Sequence, residues 1–213
     1  MQFKAVLFDM DGVLVLSEPL HFSAWQKTIQ NLPVNKDILK ETDIIGHTDH
    51  QIAETLTQRG NIQLNEEQLI ETKQEHFLHI VNNQDLEPVP GRNELLQYLS
   101  NNTLMAVISS SGNIEIAAVL GKENLTEEFQ FYVGFEDTQL HKPDPSPYLL
   151  ALKRLNLQPS DCLIIEDSPS GVKAAKATGC QVAGVDTSGL LKKEKDIFLF
   201  ENHHEILNWL KQA

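Results

Sequence analysis

Two aspartates near the N-terminus of this chain of 213 residues have the spacing of a reactive pair. Asp9 and Asp11 follow the apolar run KAVLF, residues 4 to 8, which predicts a buried strand rather than an amphipathic helix. Side chains two positions apart on an extended chain share one side, about 6.6 Å apart. Because two such carboxylates repel each other, the spacing indicates metal binding or acid/base chemistry; a solvated Asp-Gly turn is the alternative.

Composition limits the classes of partner. The chain is 41% hydrophobic and 22% charged, which is typical of a globular protein. Its net charge of −13 and its pI of about 5.0 argue against binding to nucleic acid or to an anionic membrane. Any phosphate group must therefore be held by a few local donors.

Cysteine usage and the absence of targeting signals favour a cytoplasmic protein. The only two cysteines, Cys162 and Cys180, stand in apolar stretches and are predicted to be buried thiols without a disulfide. The N-terminus has no signal-peptide pattern, and no apolar stretch reaches the roughly 18 residues of a membrane span. We also expect a monomer, and we expect His203 and His204 to lie on the surface.

Strand-like and helix-like segments alternate over most of the chain. Apolar runs at residues 105 to 110, 129 to 135, 162 to 167 and 181 to 186 join the first run to predict five strands. The segments between them, NIEIAAVLGKENL, PSPYLLALKRLNL and PSGVKAAKATG, have helical start and stop signals. This alternation predicts an α/β fold with a parallel sheet covered on both faces.

Residues 17 to 86 differ from this pattern because they contain helical periodicity and no convincing strand. They predict an all-helical domain inserted after the first strand, and the turn-rich segment EPVPGRN leads back to the sheet. The predicted domains are therefore a core of residues 1 to 16 and 87 to 213, and an insertion of residues 17 to 86. The insertion pattern rests on Trp25, Ile29, Leu32, a Thr48 to Gln51 capping box, Ile52, Leu56, Ile70, Phe77 and Val81.

Further polar residues follow the predicted strands. In an open parallel sheet, ligands bind at the carboxyl ends of the strands, and a helix start rich in serine and glycine presents N–H groups to an anion. Each residue alone has an ordinary explanation as a helix cap, a surface lysine or a solvated acid. Together they predict a phosphoryl site. The residues are Ser109, Ser110, Ser111, Gly112, Asn113, Lys142, Glu166 and Asp167.

The segments FDMDGV, VISSS, HKPDP and IIEDSPSG together resemble the four motifs of the haloacid dehalogenase (HAD) superfamily of phosphotransferases. The helical block with SEPLHFSAW is similar to the β-phosphoglucomutase and phosphoglycolate phosphatase subfamily. This resemblance covers essentially the whole chain. It implies a doubly wound, Rossmann-like parallel-sheet core with a helical cap domain inserted after the first strand.

The resemblance also implies a mechanism. Asp9 would attack the phosphoryl group to form an aspartyl-phosphate, and Asp11 would act as acid and then base. Ser109 and Lys142 would hold the phosphoryl oxygens. The residues expected to contact substrate are Ser110, Ser111, Asn113, His21, Trp25, His47, Thr48 and Lys73.

Mg²⁺ is the cofactor that the resemblance implies. Asp9, the backbone carbonyl of Asp11 and Asp167 would bind the ion, and Glu166 would support them. The ion would screen the repulsion between a carboxylate and a phosphate dianion.

Three positions depart from the family pattern. Leu16 stands where the family commonly has aspartate in the hinge between core and cap. Asp49 and Gly112 stand where a basic residue would hold the distal phosphate of a mutase substrate. The expected function is therefore a phosphatase acting on a small phosphorylated metabolite of the sugar phosphate or phosphoglycolate type. A β-phosphoglucomutase is the alternative.

A calcium-binding alternative belongs to another class. The stretch LFDMDGVLVLSE matches an EF-hand loop at five positions, with Gly12 at the turn and Glu18 as the closing acid. Leu7 offers no ligand at the first position, and the loop follows a strand-like run. A receiver domain would leave the helical block unexplained, and a dehalogenase would not need Asp11 or the metal-binding acids.

Overall fold

The computed structural model describes residues 3–40, 43–60, 62 and 65–212. At its centre is a six-stranded parallel sheet with the strand order β3-β2-β1-β4-β5-β6. The first strand is flanked by β2 and β4, so loops from three different parts of the chain meet at one edge. The strands are β1 (Ala5–Phe8), β2 (Leu104–Ile108), β3 (Phe131–Val133), β4 (Cys162–Glu166), β5 (Gln181–Val185) and β6 (Phe198–Phe200).

Helices cover both faces of the sheet. Val6 and Phe8 of β1 pack into one apolar cluster, while Ala5 and Leu7 pack into a second cluster on the opposite face. Helices α4, α5 and α8 contribute to the first cluster, and α6 and α7 to the second. The predicted doubly wound fold is confirmed. These helices are α4 (Arg92–Leu99), α5 (Asn113–Lys122), α6 (Ser146–Leu155), α7 (Pro169–Ala177) and α8 (His203–Gln212).

Three helices form the cap between β1 and α4. They are α1 (Glu18–Ile29), α2 (Asp49–Gly60) and α3 (Glu66–Asn83). Trp25, Ile29, Leu56 and Leu69 belong to an apolar cluster of their own, which explains the helical periodicity of this block. The capping box before α2 is confirmed, because the backbone N–H groups of Thr48 and Gln51 each donate to the other's side chain. The exact domain boundaries stay a prediction.

Two expectations about the C-terminal region differ from the structure. The sixth strand was not predicted, because its three residues are too few to establish a pattern. The surface position expected for His203 is wrong: its side chain is fully buried, and Nε2 lies 2.6 Å from the carbonyl oxygen of Val13. Cys162 and Cys180 are buried free thiols, as predicted.

The EF-hand alternative is wrong. Leu7 is a fully buried residue of β1, so the acidic loop follows a strand of the central sheet rather than a helix. Leu16 packs against the main core cluster, and its backbone N–H donates to the carbonyl of Glu87 at 2.8 Å. In the described part of the chain, no helix combines the length and apolar character needed to cross a membrane.

Candidate active site

A cleft lies between the carboxyl edge of the sheet and the cap. The loops after β1, β2 and β4 provide its floor, and α1, the segment before α2 and α2 itself provide its wall. Residues predicted for the site lie both on the floor and on the wall of the cleft. The lining residues are Asp9, Asp11, Glu18, His21, Ile44, Ile45, Gly46, His47, Asp49, Ile52, Ser110, Ser111, Lys142, Asp167 and Ser168.

Lys142 joins two acids at the floor of the cleft. Its Nζ lies 2.6 Å from Oδ1 of Asp9, 2.6 Å from Oε1 of Glu166 and 2.9 Å from the carbonyl oxygen of Ile108. Burial disfavours the charged amine, but the two carboxylates outweigh it and raise the pKa of Lys142. Burial raises the pKa of Asp9 well above its ordinary value, and Lys142 opposes that rise.

Glu166 is held by neighbours on β4, α6 and the start of α7. Tyr148 donates its hydroxyl to Oε1 at 2.7 Å, while the backbone N–H groups of Asp167 and Ser168 donate to Oε2 at 3.0 and 3.2 Å. The carboxylate is completely buried. Because both oxygens are already hydrogen-bonded, Glu166 is suited to orient Lys142 and to support a metal rather than to be its main ligand.

Asp9, Glu166 and Asp167 each place a carboxylate oxygen within 4.8 Å of the others. Oδ2 of Asp167 is buried and has no hydrogen-bond partner among the described residues. Burial raises the pKa of Asp167 well above its ordinary value, and the charges of Glu18, Asp9 and Glu166 add to this effect. An all-oxygen site with one unsatisfied carboxylate oxygen fits a hard cation such as Mg²⁺.

Gly12 allows the two acidic loops to approach each other. Its φ of +74° is the left-handed conformation that favours glycine, and a Cβ atom there would lie 2.0 Å from Oδ2 of Asp167. The glycine after Asp11 therefore serves both the turn and the close contact with Asp167.

Asp11 accepts hydrogen bonds on both carboxylate oxygens. The hydroxyl of Ser17 and Nε2 of His21, at 3.1 Å, contact Oδ1. The hydroxyls of Ser111 and Ser109 donate to Oδ2 at 3.0 and 3.3 Å. Burial alone would raise the pKa of Asp11, but His21 and the hydroxyl donors outweigh it and hold that pKa well below its usual range.

A second buried charge cluster connects the cap with the core. Nζ of Lys73 on α3 lies 2.9 Å from Nδ1 of His21, 2.7 Å from Oδ2 of Asp49 and 2.8 Å from Oε1 of Glu115 on α5. The side chains of Lys73 and Glu115 are fully buried. Trp25 donates its indole N–H to the other oxygen of Asp49 at 3.1 Å.

The predicted site residues fall into two groups. Those that line the cleft are Asp9, Asp11, His21, His47, Ser110, Ser111, Lys142 and Asp167. Those that do not line it are Trp25, Thr48, Lys73, Ser109, Asn113 and Glu166. The backbone N–H of Asn113 donates to Glu136 at 2.8 Å, and Thr48 caps α2, so these two residues have structural partners.

Sequence reasoning did not identify Glu115 or Tyr148. Both lie on helix faces turned toward the site, and their partners are 42 and 18 positions away along the chain. Glu115 did carry one signal, as the third residue of α5, where its carboxylate accepts from the N–H of Gly112 at 3.4 Å. The partnership with Lys73 has no local signature.

Comparison with known proteins identifies the family of this chain. A family described as haloacid dehalogenase-like hydrolase matches residues 6–185. The chain is 31% identical to a phosphorylated carbohydrates phosphatase of Thermotoga maritima, covering 99% of each protein. It is 27% identical to the fructose-1-phosphate phosphatase of Escherichia coli, covering 86% of this chain and 97% of that protein.

A solved structure leads to the same family. A putative β-phosphoglucomutase from Thermotoga maritima superimposes with a TM-score of 0.76 at 30% identity, covering 99% of this chain and all of the other. The family match spans all four predicted motifs. The chain therefore belongs to the haloacid dehalogenase-like hydrolases, within the group of phosphatases and β-phosphoglucomutases that its motifs resemble.

Proposed function

We propose that this protein is a Mg²⁺-dependent phosphatase that hydrolyses a small sugar phosphate through an aspartyl-phosphate on Asp9. The observation that carries the proposal is the contact between Asp9 and Lys142 at the floor of the cleft, beside the unsatisfied carboxylate of Asp167. The proposed nucleophile Asp9, the ammonium group of Lys142 and a carboxylate able to bind a metal ion, that of Asp167, therefore lie close together. The carbohydrate phosphatase relatives support a sugar phosphate substrate.

In the first step, a carboxylate oxygen of Asp9 attacks phosphorus, and the bond to the ester oxygen breaks. Lys142 neutralises negative charge on Asp9 and on the phosphoryl oxygens. Ser110 and Ser111 line the cleft after β2, where they would contact the oxygens of an incoming phosphoryl group. Asp9 and Asp167 are the side chains that would hold Mg²⁺, together with the backbone carbonyl of Asp11. When bound, the ion screens the repulsion between carboxylate and phosphate.

Asp11 handles the proton in both steps. Its low pKa makes it a carboxylate in the free enzyme, which suits the deprotonation of water that attacks the aspartyl-phosphate. Donation to the leaving oxygen requires a proton on Asp11. A phosphate dianion entering beside it raises its affinity for that proton. Ser17 and His21 hold its carboxylate toward the cleft.

Hydrolysis is favoured over mutase activity because two places for a distal phosphate are already occupied by acids. Asp49 is paired with Lys73 on the cap. At the start of α5, Glu136 accepts the N–H of Asn113 at 2.8 Å, and a Cβ at Gly112 would lie 3.1 Å from Glu136. A second phosphate would have to displace these carboxylates. The mutase remains the second candidate because of the β-phosphoglucomutase-like structure.

The test is a screen of sugar phosphates, polyol phosphates and phosphoglycolate with Mg²⁺ or EDTA, following phosphate release and isomeric product together. We expect phosphate release that EDTA abolishes and that Asp9→Asn lacks. Isomer formation without net release would make the enzyme a mutase. Release that persists undiminished in EDTA would contradict the proposed metal dependence.

A further inference from the structure

Asp49 is fixed on the cap wall of the cleft by two buried donors. Nε1 of Trp25 lies 3.1 Å from its Oδ1, and Nζ of Lys73 lies 2.7 Å from its Oδ2. Trp25 and Lys73 are fully buried, whereas the Asp49 side chain keeps 14% exposure and lines the cleft. The carboxylate therefore cannot rotate away without leaving Lys73 short of a partner.

The fixed carboxylate still has acceptor capacity toward the cleft. An ionised carboxylate offers about four acceptor positions and no donor. The two described donors reach it from the buried side, one on each oxygen. A molecule in the cleft can satisfy the remaining positions only by donating a hydrogen bond.

Among the described residues, the cap side of the cleft has no lysine or arginine at its surface to receive a second anion. Among the described residues that line the cleft, Lys142 is the one lysine or arginine, and it is already bound to Asp9 and Glu166. Lys73 lies behind Asp49 with three partners and no exposure. The remaining wall near Asp49 is formed by the apolar side chains of Ile44, Ile45 and Ile52, together with Gly46 and the imidazoles of His21 and His47.

We propose that Asp49 determines specificity by accepting a hydrogen bond from a hydroxyl of the leaving group. It selects phosphate monoesters of an uncharged, hydroxyl-bearing carbon skeleton over esters that carry a second anionic group. This inference rests on the proposed phosphatase function and narrows its substrate class.

The test measures affinity, so it does not depend on turnover. In an Asp9→Asn background with Mg²⁺, dissociation constants are measured by calorimetry for glucose 6-phosphate, phosphoglycolate and glucose 1,6-bisphosphate. Glucose 6-phosphate is expected to bind at least about 10-fold more tightly than phosphoglycolate and glucose 1,6-bisphosphate, as one charged hydrogen bond allows. When Asp49→Asn is added, the preference for glucose 6-phosphate over phosphoglycolate and glucose 1,6-bisphosphate, measured as the ratio of dissociation constants, should fall to about 3-fold or less.

Two matched variants separate the effect of Asp49 from its surroundings. Glu54→Gln removes one negative charge from an exposed position of the same helix, and Glu71→Gln removes one from an exposed position of α3, the helix that carries Lys73. Both should retain the 10-fold preference. Loss of the preference in either control, or an unchanged preference in Asp49→Asn, would overturn the inference. Failure of the proposed hydrolysis would appear separately, as absence of phosphate release by the wild-type enzyme.

Discussion

Nζ of Lys73, on helix α3 of the cap, lies 2.8 Å from Oε1 of Glu115, on helix α5 of the core. Both side chains are fully buried, so this ion pair joins the two parts of the molecule out of contact with bulk solvent. The pKa of Lys73 reflects this: burial lowers it, but Asp49 and Glu115 together raise it above the ordinary value. The cap is therefore held against the core by charge as well as by apolar packing.

Replacement of Lys73 by methionine should destabilise the protein strongly. Asp49 and Glu115 would lose their shared cation, and breaking such a buried pair costs about 3–5 kcal/mol. Urea unfolding monitored by circular dichroism measures the change in the free energy of unfolding. Glu71→Gln on the exposed side of α3 is the control and should stay within about 0.5 kcal/mol of wild type. Equal stability of Lys73→Met and wild type would refute the structural role of the pair.

Asp9→Asn should abolish phosphate release while the protein stays folded. The amide cannot form the covalent intermediate, so kcat should fall at least about 1,000-fold, the scale of losing a nucleophile. Asp186→Asn serves as the matched control, because Asp186 also follows a strand but does not line the cleft. Steady-state kinetics with circular dichroism measures both properties. Activity near wild type in a purified Asp9→Asn sample would remove Asp9 as the nucleophile.

Asp167→Asn should weaken Mg²⁺ binding by at least about 10-fold, because a neutral amide replaces a charged ligand. The variant should also lose most of the thermal stabilisation that Mg²⁺ gives to the wild type. In EDTA, the variant should be at least as stable as wild type, since it lacks one of several crowded buried acids. Calorimetry and thermal unfolding with and without Mg²⁺ provide the readouts. Equal Mg²⁺ affinity in both proteins would show that Asp167 is not a ligand.

His203 should make stability depend on pH. Burial lowers its pKa to about 4 from the ordinary 6.5, and Arg92 also favours the neutral ring. Between pH 4 and pH 6.5, the unfolded state therefore binds a proton at His203 more readily than the folded state does. The contribution of His203 to the free energy of unfolding is complete above pH 6.5 and is lost as the pH falls toward 4. Because each unit of pKa difference corresponds to about 1.4 kcal/mol, the whole contribution is about 3 kcal/mol.

The measurement is the free energy of unfolding of wild type and His203→Gln across this range. Wild type should lose up to about 3 kcal/mol more than the variant as the pH falls from 6.5 to 4. The exposed neighbour supplies the control, because His204→Gln should follow the wild-type curve. Parallel curves for wild type and His203→Gln would contradict the buried neutral histidine.

The sequence by itself determined five of the six strands, the helical insertion and the acidic floor of the cleft. Apolar runs with helical segments between them force a parallel arrangement, and its carboxyl edge necessarily gathers the residues that follow each strand. Asp9, Asp11, Lys142 and Asp167 could be predicted for that reason. Their positions depend on local periodicity and on a general rule of topology.

Only the tertiary structure decided which groups the buried charged and titratable side chains contact. Lys73 was expected to contact substrate, but it lies buried between Asp49 and Glu115, and His203 was expected on the surface but lies in the core. Contacts between residues tens of positions apart leave no periodic signal in the chain. Whether a charged side chain meets solvent, substrate or another charge is set by how helices from separate segments pack.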